Sequence, residues 1–390
     1  MENFTYYIPT KILFGKGQVK KLGKEILPYG QKILLLYGKN SIKTNGVYDL
    51  VINSLAEHNI SFVELSGVDP NPRIETVKHG AELCKKHNLD LVLAVGGGST
   101  IDCAKAIALQ AKYDGDVWED FYVNKKYALA QEALPVASVL TLAATGSEMN
   151  KNSVISNLTT NQKLGFGHDI LKPVFSILDP TFTFTVNKYQ TAAGVVDIMS
   201  HLFEQYFSPD KEGYIQSRII EAILKTVIHY GPKAYDVPDD YEARANIMWA
   251  SSLALNGLPS YGKVSTDWAT HIIEHELSAH YDITHGVGLG ILTPYWMEYV
   301  LTPENAHRFV DYGKTIWKIP GDNPMDIARK SIELTREFFS SLGIPENLSD
   351  IGIDDSKFIE MAEGATTYGP IGTMKKLEKD DVLAILESAL

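Results

Sequence analysis

The sequence predicts an α/β domain built on a parallel sheet, followed by an all-helical (all-α) domain. Three observations carry this. Short apolar runs alternate with amphipathic stretches of helical period through the first half. The apolar runs stop at Gly or at Asp-Pro, as buried parallel strands do on reaching a loop. Beyond about residue 183 strand signals cease and helical periods alone continue. The change of period, not a change of composition, sets the division: residues 1–183 form the sheet domain and 184–390 the helical domain.

The elements follow in order. Residues 11–14 form an N-terminal strand that offers a pairing edge. Residues 33–37, an apolar run closed by Gly38, form a buried strand, and 47–58 an amphipathic helix. Residues 61–65 alternate and lead into a Pro70-Asn71-Pro72 loop; 74–87 is a helix. Residues 89–95 are a strand stopped by Gly96-Gly97-Gly98, before a helix over 100–111. Strands over 135–140 and 174–178 follow, the second closed by Asp179-Pro180. In the second half, 189–207, 214–229, 241–255, 265–278, 303–317, 323–342 and 380–390 carry helical spacing.

A chain of 390 residues is long enough for two sizeable cores. Its formal charge of −12 opposes nonspecific binding to nucleic acid or to an anionic membrane. No apolar run reaches the ~18 residues of a membrane span. The N-terminus lacks the basic and apolar regions of a secretion signal, so a cytoplasmic location is expected. The two cysteines, Cys84 and Cys103, give no disulfide framework and read as small buried apolar residues.

Asp197, His201, His271 and His285 stand out. One carboxylate and three imidazoles can complete the coordination of a divalent transition metal. Asp197 and His201 are i,i+4 and share one helix face. His271 and His285 are fourteen positions apart, or ~21 Å along one straight helix. The chain must therefore turn back between them, and the polar stretch 278–284 suits a break. A lone histidine on a helix is more often a core residue, but four of eleven fall between 271 and 285. The run His275-Glu276 followed by His280 imitates a zinc-protease helix and fails, because its histidines are i,i+5.

Gly96-Gly97-Gly98-Ser99-Thr100-Ile101-Asp102 is a strand end, a glycine turn and a helix start. Such a turn brings free amides and a helix dipole to a pyrophosphate; a plain tight turn has the same composition. Ile101 sits where the dinucleotide fingerprint has its third glycine. Thr141-Leu-Ala-Ala-Thr145-Gly146-Ser147-Glu148 follows a strand, where open α/β sheets bind ligands or where a helix cap would sit. Lys163 by itself reads as solvated surface.

These pieces occur in series with Thr10-Lys-Ile-Leu-Phe14-Gly15-Lys-Gly17, Pro70-Asn71-Pro72, Asp179-Pro180, Tyr241-Glu-Ala-Arg-Ala-Asn246 and Ala254-Leu-Asn-Gly257. The series resembles the iron-containing (group III) alcohol dehydrogenases over nearly the whole chain, in particular their butanol dehydrogenase and NADPH-dependent aldehyde reductase branch. Asn187 departs from a usual Pro and Phe182 from a usual Leu. The resemblance implies a Rossmann-like dinucleotide domain and a dehydroquinate synthase-like architecture, with the active site in the cleft between the domains. It implies that Gly97, Gly98 and Ser99 cradle the pyrophosphate. Thr141, Thr145, Lys163 and Asp102 would lie near ribose, phosphates and nicotinamide, and Asn71 near the adenosine. Asp197, His201, His271 and His285 would bind Fe²⁺ or Zn²⁺. His275 would neighbour the metal as a proton relay or cleft residue, or pack as an ordinary polar side chain.

The implied reaction interconverts primary alcohols and aldehydes with a nicotinamide cofactor. A bound metal lowers the pKa of an alcohol and polarises a carbonyl, so hydride passes without a nucleophilic side chain. NADP(H) is expected over NAD(H): Gly38 stands where NAD-preferring relatives have Asp, and Lys39, Asn40, Ser41 and Lys43 offer donors to a 2′-phosphate. Straight-chain substrates and a homodimer are expected. A dehydroquinate-synthase-like or glycerol-dehydrogenase-like enzyme on a polar substrate is the rival; the lyase would need clustered Lys and Arg, whereas 256–268 supplies one Lys.

Overall fold

A computed structural model describes residues 1–209 and 213–390. Its strands are β1 (Lys11–Phe14), β2 (Lys32–Tyr37), β3 (Ser61–Leu65), β4 (Leu91–Gly96), β5 (Val136–Leu140), β6 (Asn152–Asn157), β7 (Gln162–Gly167) and β8 (Phe175–Leu178). Its first helices are α1 (Leu22–Ile26), α2 (Ser41–Thr44), α3 (Val47–Glu57), α4 (Ile74–His87) and α5 (Gly98–Ala111). Then come α6 (Lys188–Tyr206), α7 (Tyr214–Asp236), α8 (Tyr241–Ala254), α9 (Ala269–Tyr281) and α10 (His285–Val300). The last are α11 (Ala306–Tyr312), α12 (Pro324–Ser341), α13 (Phe358–Ala365) and α14 (Lys379–Ser388).

The chain forms two compact units. One comprises Tyr7–Val186 and Pro238–Ser252; the other comprises Met1–Tyr6, Asn187–Val237 and Leu253–Leu390. This differs from a single cut near residue 183 in two segments. Pro238–Ser252 joins the sheet unit because Met248 is buried in its core and Ser252 Oγ donates to the buried Glu148 carboxylate at 2.5 Å. Met1–Tyr6 joins the helical unit because Phe4 packs tilted and Tyr6 edge to face on Tyr261, and Glu2 N donates to Gly262 O.

In the sheet unit six strands run in the order β1-β8-β5-β4-β2-β3, each pair parallel. Side chains alternate between two cores. Leu34, Leu36, Val92, Ala94 and Val136 face one, which also holds α4 and α5; Ile33, Leu35, Leu91, Leu93 and Ala137 face the other with α3. Chain order reverses at β2, which has β3 on one side and β4 on the other, so a switch point lies between β2 and β4. The antiparallel hairpin β6–β7 adds a feature the sequence reading lacks. Cys84 and Cys103 are free and buried.

The helical unit is organised by α6, buried continuously from Thr191 to Tyr206. Asn187 is its N-cap, accepting Gln190 N at 2.8 Å, which gives this departure from the family pattern a structural role. Phe182, the other departure, is core in the sheet unit. Helix α10 packs closely on α6 because Gly286 has no side chain: a Cβ there would lie 2.1 Å from Ala193 O. Helix α7 runs through Gly231-Pro232 to Asp236, past the stop expected at 229. No helix among the described residues is long and apolar enough to cross a membrane.

Gly286→Ala should therefore lower the unfolding free energy by about 2 kcal/mol, since the clash is with backbone and neither helix can yield locally. Urea unfolding checks this; an unchanged midpoint would show that the helices separate freely.

Candidate functional site

The helical unit brings together one of the two residue sets singled out in the sequence. Asp197 and His201 lie on α6, one turn apart, both buried. His271 lies in the first turn of α9, and His285 begins α10, because the chain turns back at Asp282 in the left-handed conformation. Ligand-capable atoms of Asp197, His201 and His271 all lie within 4.8 Å of one another. His201 Nδ1 is 3.5 Å from Asp197 Oδ1, and His285 Nε2 is 3.8 Å from the same oxygen. Four atoms around a tetrahedral metal with ~2.1 Å bonds would stand about 3.4 Å apart. Burial, reinforced by the neighbouring His271 and His285, holds the His201 imidazole well below its usual range, in its neutral form.

Two buried carboxylates orient this set. Glu204 Oε1 accepts His271 N at 2.9 Å and faces His271 Nδ1 at 3.0 Å, while Oε2 accepts Trp268 N at 2.7 Å. Glu274 pairs with His285 Nδ1 and accepts Ser278 Oγ at 2.5 Å. A carboxylate on Nδ1 fixes the tautomer and leaves Nε2 as the ligating nitrogen. His201 Nδ1 and His271 Nε2 are buried with no hydrogen bond among the described residues. That pair of stranded lone pairs beside Asp197 fits a divalent transition metal. Glu274, His275 and His285 also cluster, but Glu274 is already committed to His285 and Ser278. The His275 ring is half-buried, 5.7 Å from that of His285.

Sequence reasoning missed Glu204 and Glu274. Each lies three residues after a candidate ligand, His201 or His271, so helical spacing carried the signal. It also missed Asp267, whose buried carboxylate caps Ala269 N at 3.1 Å and holds Thr373 N and Met374 N at 2.6 and 2.7 Å. Burial, then the Glu204 charge, pushes its pKa up to about 6.

The second set gathers at the carboxyl ends of β4 and β5 in the sheet unit. Thr141 N donates to Gly96 O at 3.0 Å. Gly98 opens α5, and a Cβ there would meet Thr145 Oγ1 at 2.1 Å, so the missing side chain lets that threonine press on the first helical turn. A Cβ on Gly97 would approach Leu142 at 3.3 Å. Ser99 Oγ donates to Pro70 O, which ties the loop of buried Asn71 to the same turn. Ser156 N donates to Pro72 O at 2.8 Å, and Ser156 is the hairpin partner of buried Lys163.

Asp102 is engaged internally. Its carboxylate accepts Ser147 Oγ at 2.5 Å and Val154 N at 3.0 Å, so it braces the turn after β5. Lys105, fully buried and shifted down to about 8 by that burial, holds Ser147 Oγ, Asn150 Oδ1 and Asn152 O. At the end of β2, a Cβ on Gly38 would make an ordinary contact, 3.6 Å from Val68 O, so a side chain is tolerated there. Asn40 precedes α2 and Ser41 begins it, exposed. Lys39 Nζ is 3.6 Å from Asp69 Oδ1, and Lys43 Nζ is 3.0 Å from Glu64 Oε1 between the Tyr37 and Tyr48 rings.

The family described as iron-containing alcohol dehydrogenase matches residues 9–180, and the C-terminal region of the Fe-containing alcohol dehydrogenase family matches 191–390. The chain is 55% identical to NADH-dependent butanol dehydrogenase A of Clostridium acetobutylicum, covering 100% of both. It is 39% identical to NADPH-dependent aldehyde reductase YqhD of Escherichia coli, covering 95% of this chain and 94% of the relative. The crystal structure of NADH-dependent butanol dehydrogenase A from Thermotoga maritima superposes with a TM-score of 0.96 at 42% identity, covering 100% of this chain and 99% of that one.

Glu204→Gln should weaken divalent-metal affinity about 10–100-fold by releasing the His271 ring from its fixed tautomer. Titration of metal-stripped protein with Zn²⁺ measures this, and unaltered affinity would remove Glu204 from the site.

Proposed function

The chain belongs to the iron-containing alcohol dehydrogenase family, and we propose that it reduces straight-chain aldehydes, and oxidises the matching primary alcohols, with Asp197, His201, His271 and His285 holding one divalent iron. Interconversion of alcohols and aldehydes is the activity of the family and of the relatives named above. The observation that carries the metal assignment is the pair of buried nitrogens, His201 Nδ1 and His271 Nε2, without a hydrogen bond among the described residues. When bound, the metal supplies Lewis acidity and the dinucleotide takes or gives the hydride. Zn²⁺ suits the same three nitrogens and one oxygen.

The chain's own residues bind and orient. Glu204 and Glu274 hold His271 and His285 in the ligating tautomer. His275, half-buried beside His285, would carry the alcohol proton toward solvent. Gly97, Gly98 and Ser99 would receive the pyrophosphate at the start of α5, with Thr141, Thr145 and Lys163 along the ribose and nicotinamide and Asn71 near the adenosine. Asp102 would act through Ser147, holding the Thr145 turn in place. An assembly paired along β1, an edge strand, would make a homodimer.

The preference for NADP(H) rests on Gly38, which brings no acid to the 2′ position, and on Lys39, Asn40 and the exposed Ser41. Lys43 contributes less than its sequence position suggests, because Glu64 neutralises it. A second reading, NAD(H), is favoured by Asp69 beside Lys39 and by the NADH-dependent butanol dehydrogenase relative.

Purified protein mixed with butanal and either cofactor, with absorbance loss followed, tests the proposal. His271→Ala should lose metal and nearly all turnover while staying folded; metal and rate retained in that variant would defeat the ligand assignment. His275→Ala should keep its metal but reduce butanal more slowly with an altered pH profile, whereas an unchanged profile leaves His275 a packing residue. If NADPH is preferred, Gly38→Asp should reverse the preference through like-charge repulsion, and Lys39→Ala should raise KM for NADPH more than for NADH. Better use of NADH by the unmutated protein would establish the second reading.

A further inference from the structure

Trp268 immediately precedes α9, three residues before His271, and its backbone is left-handed, at φ 69° and ψ 6°. That conformation suits Gly or Asn; a bulky aromatic adopts it only when its surroundings enforce it. Here they do. Its N–H donates to Glu204 Oε2 at 2.7 Å, and its carbonyl accepts Ile272 N at 3.1 Å. On either side Asp267 N donates to Glu204 O at 2.8 Å and Ala269 N to the Asp267 carboxylate. Backbone requirements alone would be met by glycine, so the indole has a reason of its own to be there.

The indole stands against the candidate metal ligands. Its ring centre is 5.3 Å from that of His271, edge to face, and 6.3 Å from that of His201. Its Nε1–H donates to Thr266 Oγ1 at 2.7 Å. The residue is half-buried, so it keeps some exposed surface while its ring stands next to those imidazoles. With its one donor spent, the indole offers a ligand only apolar surface. Methylene groups gain from such a wall, whereas a hydroxyl placed on it loses its hydrogen bond with water and gets none in return.

We propose that Trp268 is a specificity-determining residue, a rigid aromatic wall beside the metal-holding histidines that takes the alkyl chain of the aldehyde and selects for its length. This rests on the metal and aldehyde reading given above. The left-handed backbone sets the direction of the Cα–Cβ bond and the Nε1–H bond to Thr266 holds the ring, so a ring of another size at this position would leave a gap rather than move to fill it.

The test compares ethanal and hexanal on the unmutated enzyme, Trp268→Phe and Trp268→Gly, all loaded with the same metal. Glycine suits the left-handed backbone and keeps the Glu204 contact, so this variant should fold and retain its metal. The ratio of kcat/KM for hexanal over ethanal should fall about tenfold in Trp268→Gly and by an intermediate factor in Trp268→Phe. A second readout is independent of turnover: Co²⁺ added to metal-stripped protein should quench a part of the tryptophan emission that is missing in Trp268→Phe. An unchanged chain-length ratio in variants that retain metal, or equal quenching with and without Trp268, would overturn the proposal while leaving the dehydrogenase reading intact. Metal-independent butanal reduction by the unmutated protein would overturn the metal reading and this inference with it.

Discussion

Glu204 and Glu274 are carboxylates buried inside the helical unit, and burial of a charge is tolerated only where hydrogen bonds or counter-charges compensate it. Their compensation shapes the centre. Glu204, on α6, gathers the Trp268 and His271 amides and the His271 ring, so the start of α9 is fixed against α6. Glu274, on α9, gathers the His285 ring and Ser278, so the start of α10 is fixed against α9. Both imidazoles thereby turn Nε2 away from their carboxylates. A third interaction, the Gly286 contact with Ala193, brings α10 onto α6 near the same point. Three helices thus converge on Asp197, two of the junctions made by polar contacts that would be costly to leave unmade and the third by close backbone packing.

The sheet unit solves a different problem by different means. A dinucleotide is long, anionic and polar, and the residues proposed to receive it are glycines, hydroxyls, a backbone turn and one buried lysine. Buried charged groups hold them in place: Asp102, Lys105 and Glu148 link α5, the turn after β5 and Ser252 on α8. Burial drives the Asp102 and Glu148 carboxyls upward and Lys105 downward, the expected directions where solvation is lost, and the hydrogen bonds to Ser147, Val154 and Ser252 oppose the carboxyl shifts.

The sequence carried the parallel strands plainly, because strands buried on both faces are continuous apolar runs. It carried Asp197 and His201 through one helical turn, and His271 and His285 through the need for a break, which Asp282 supplies. Helix α10 was hidden. Gly286, Gly288, Gly290 and Pro294 look like breakers, yet the glycines are where neighbouring groups come close. The β6–β7 hairpin was hidden because Asn152, Ser153, Ser156 and Asn157 give it no apolar alternation, and with it the burial of Lys163. The start of α9 falls at Ala269 rather than 265 because Asp267 caps it and Trp268 turns the backbone. Lys39 and Lys43 showed their charge in the sequence but not Asp69 and Glu64, which reach them from other parts of the chain.

Anomalous scattering from crystals of the protein loaded with Fe²⁺ or Zn²⁺ tests most directly whether the two buried carboxylates assemble one metal site around Asp197. A single peak should appear about 2.0–2.2 Å from an Asp197 oxygen and from one nitrogen each of His201, His271 and His285. A peak held instead by Glu274, His275 and His285, or none in this unit at full metal loading, would contradict it.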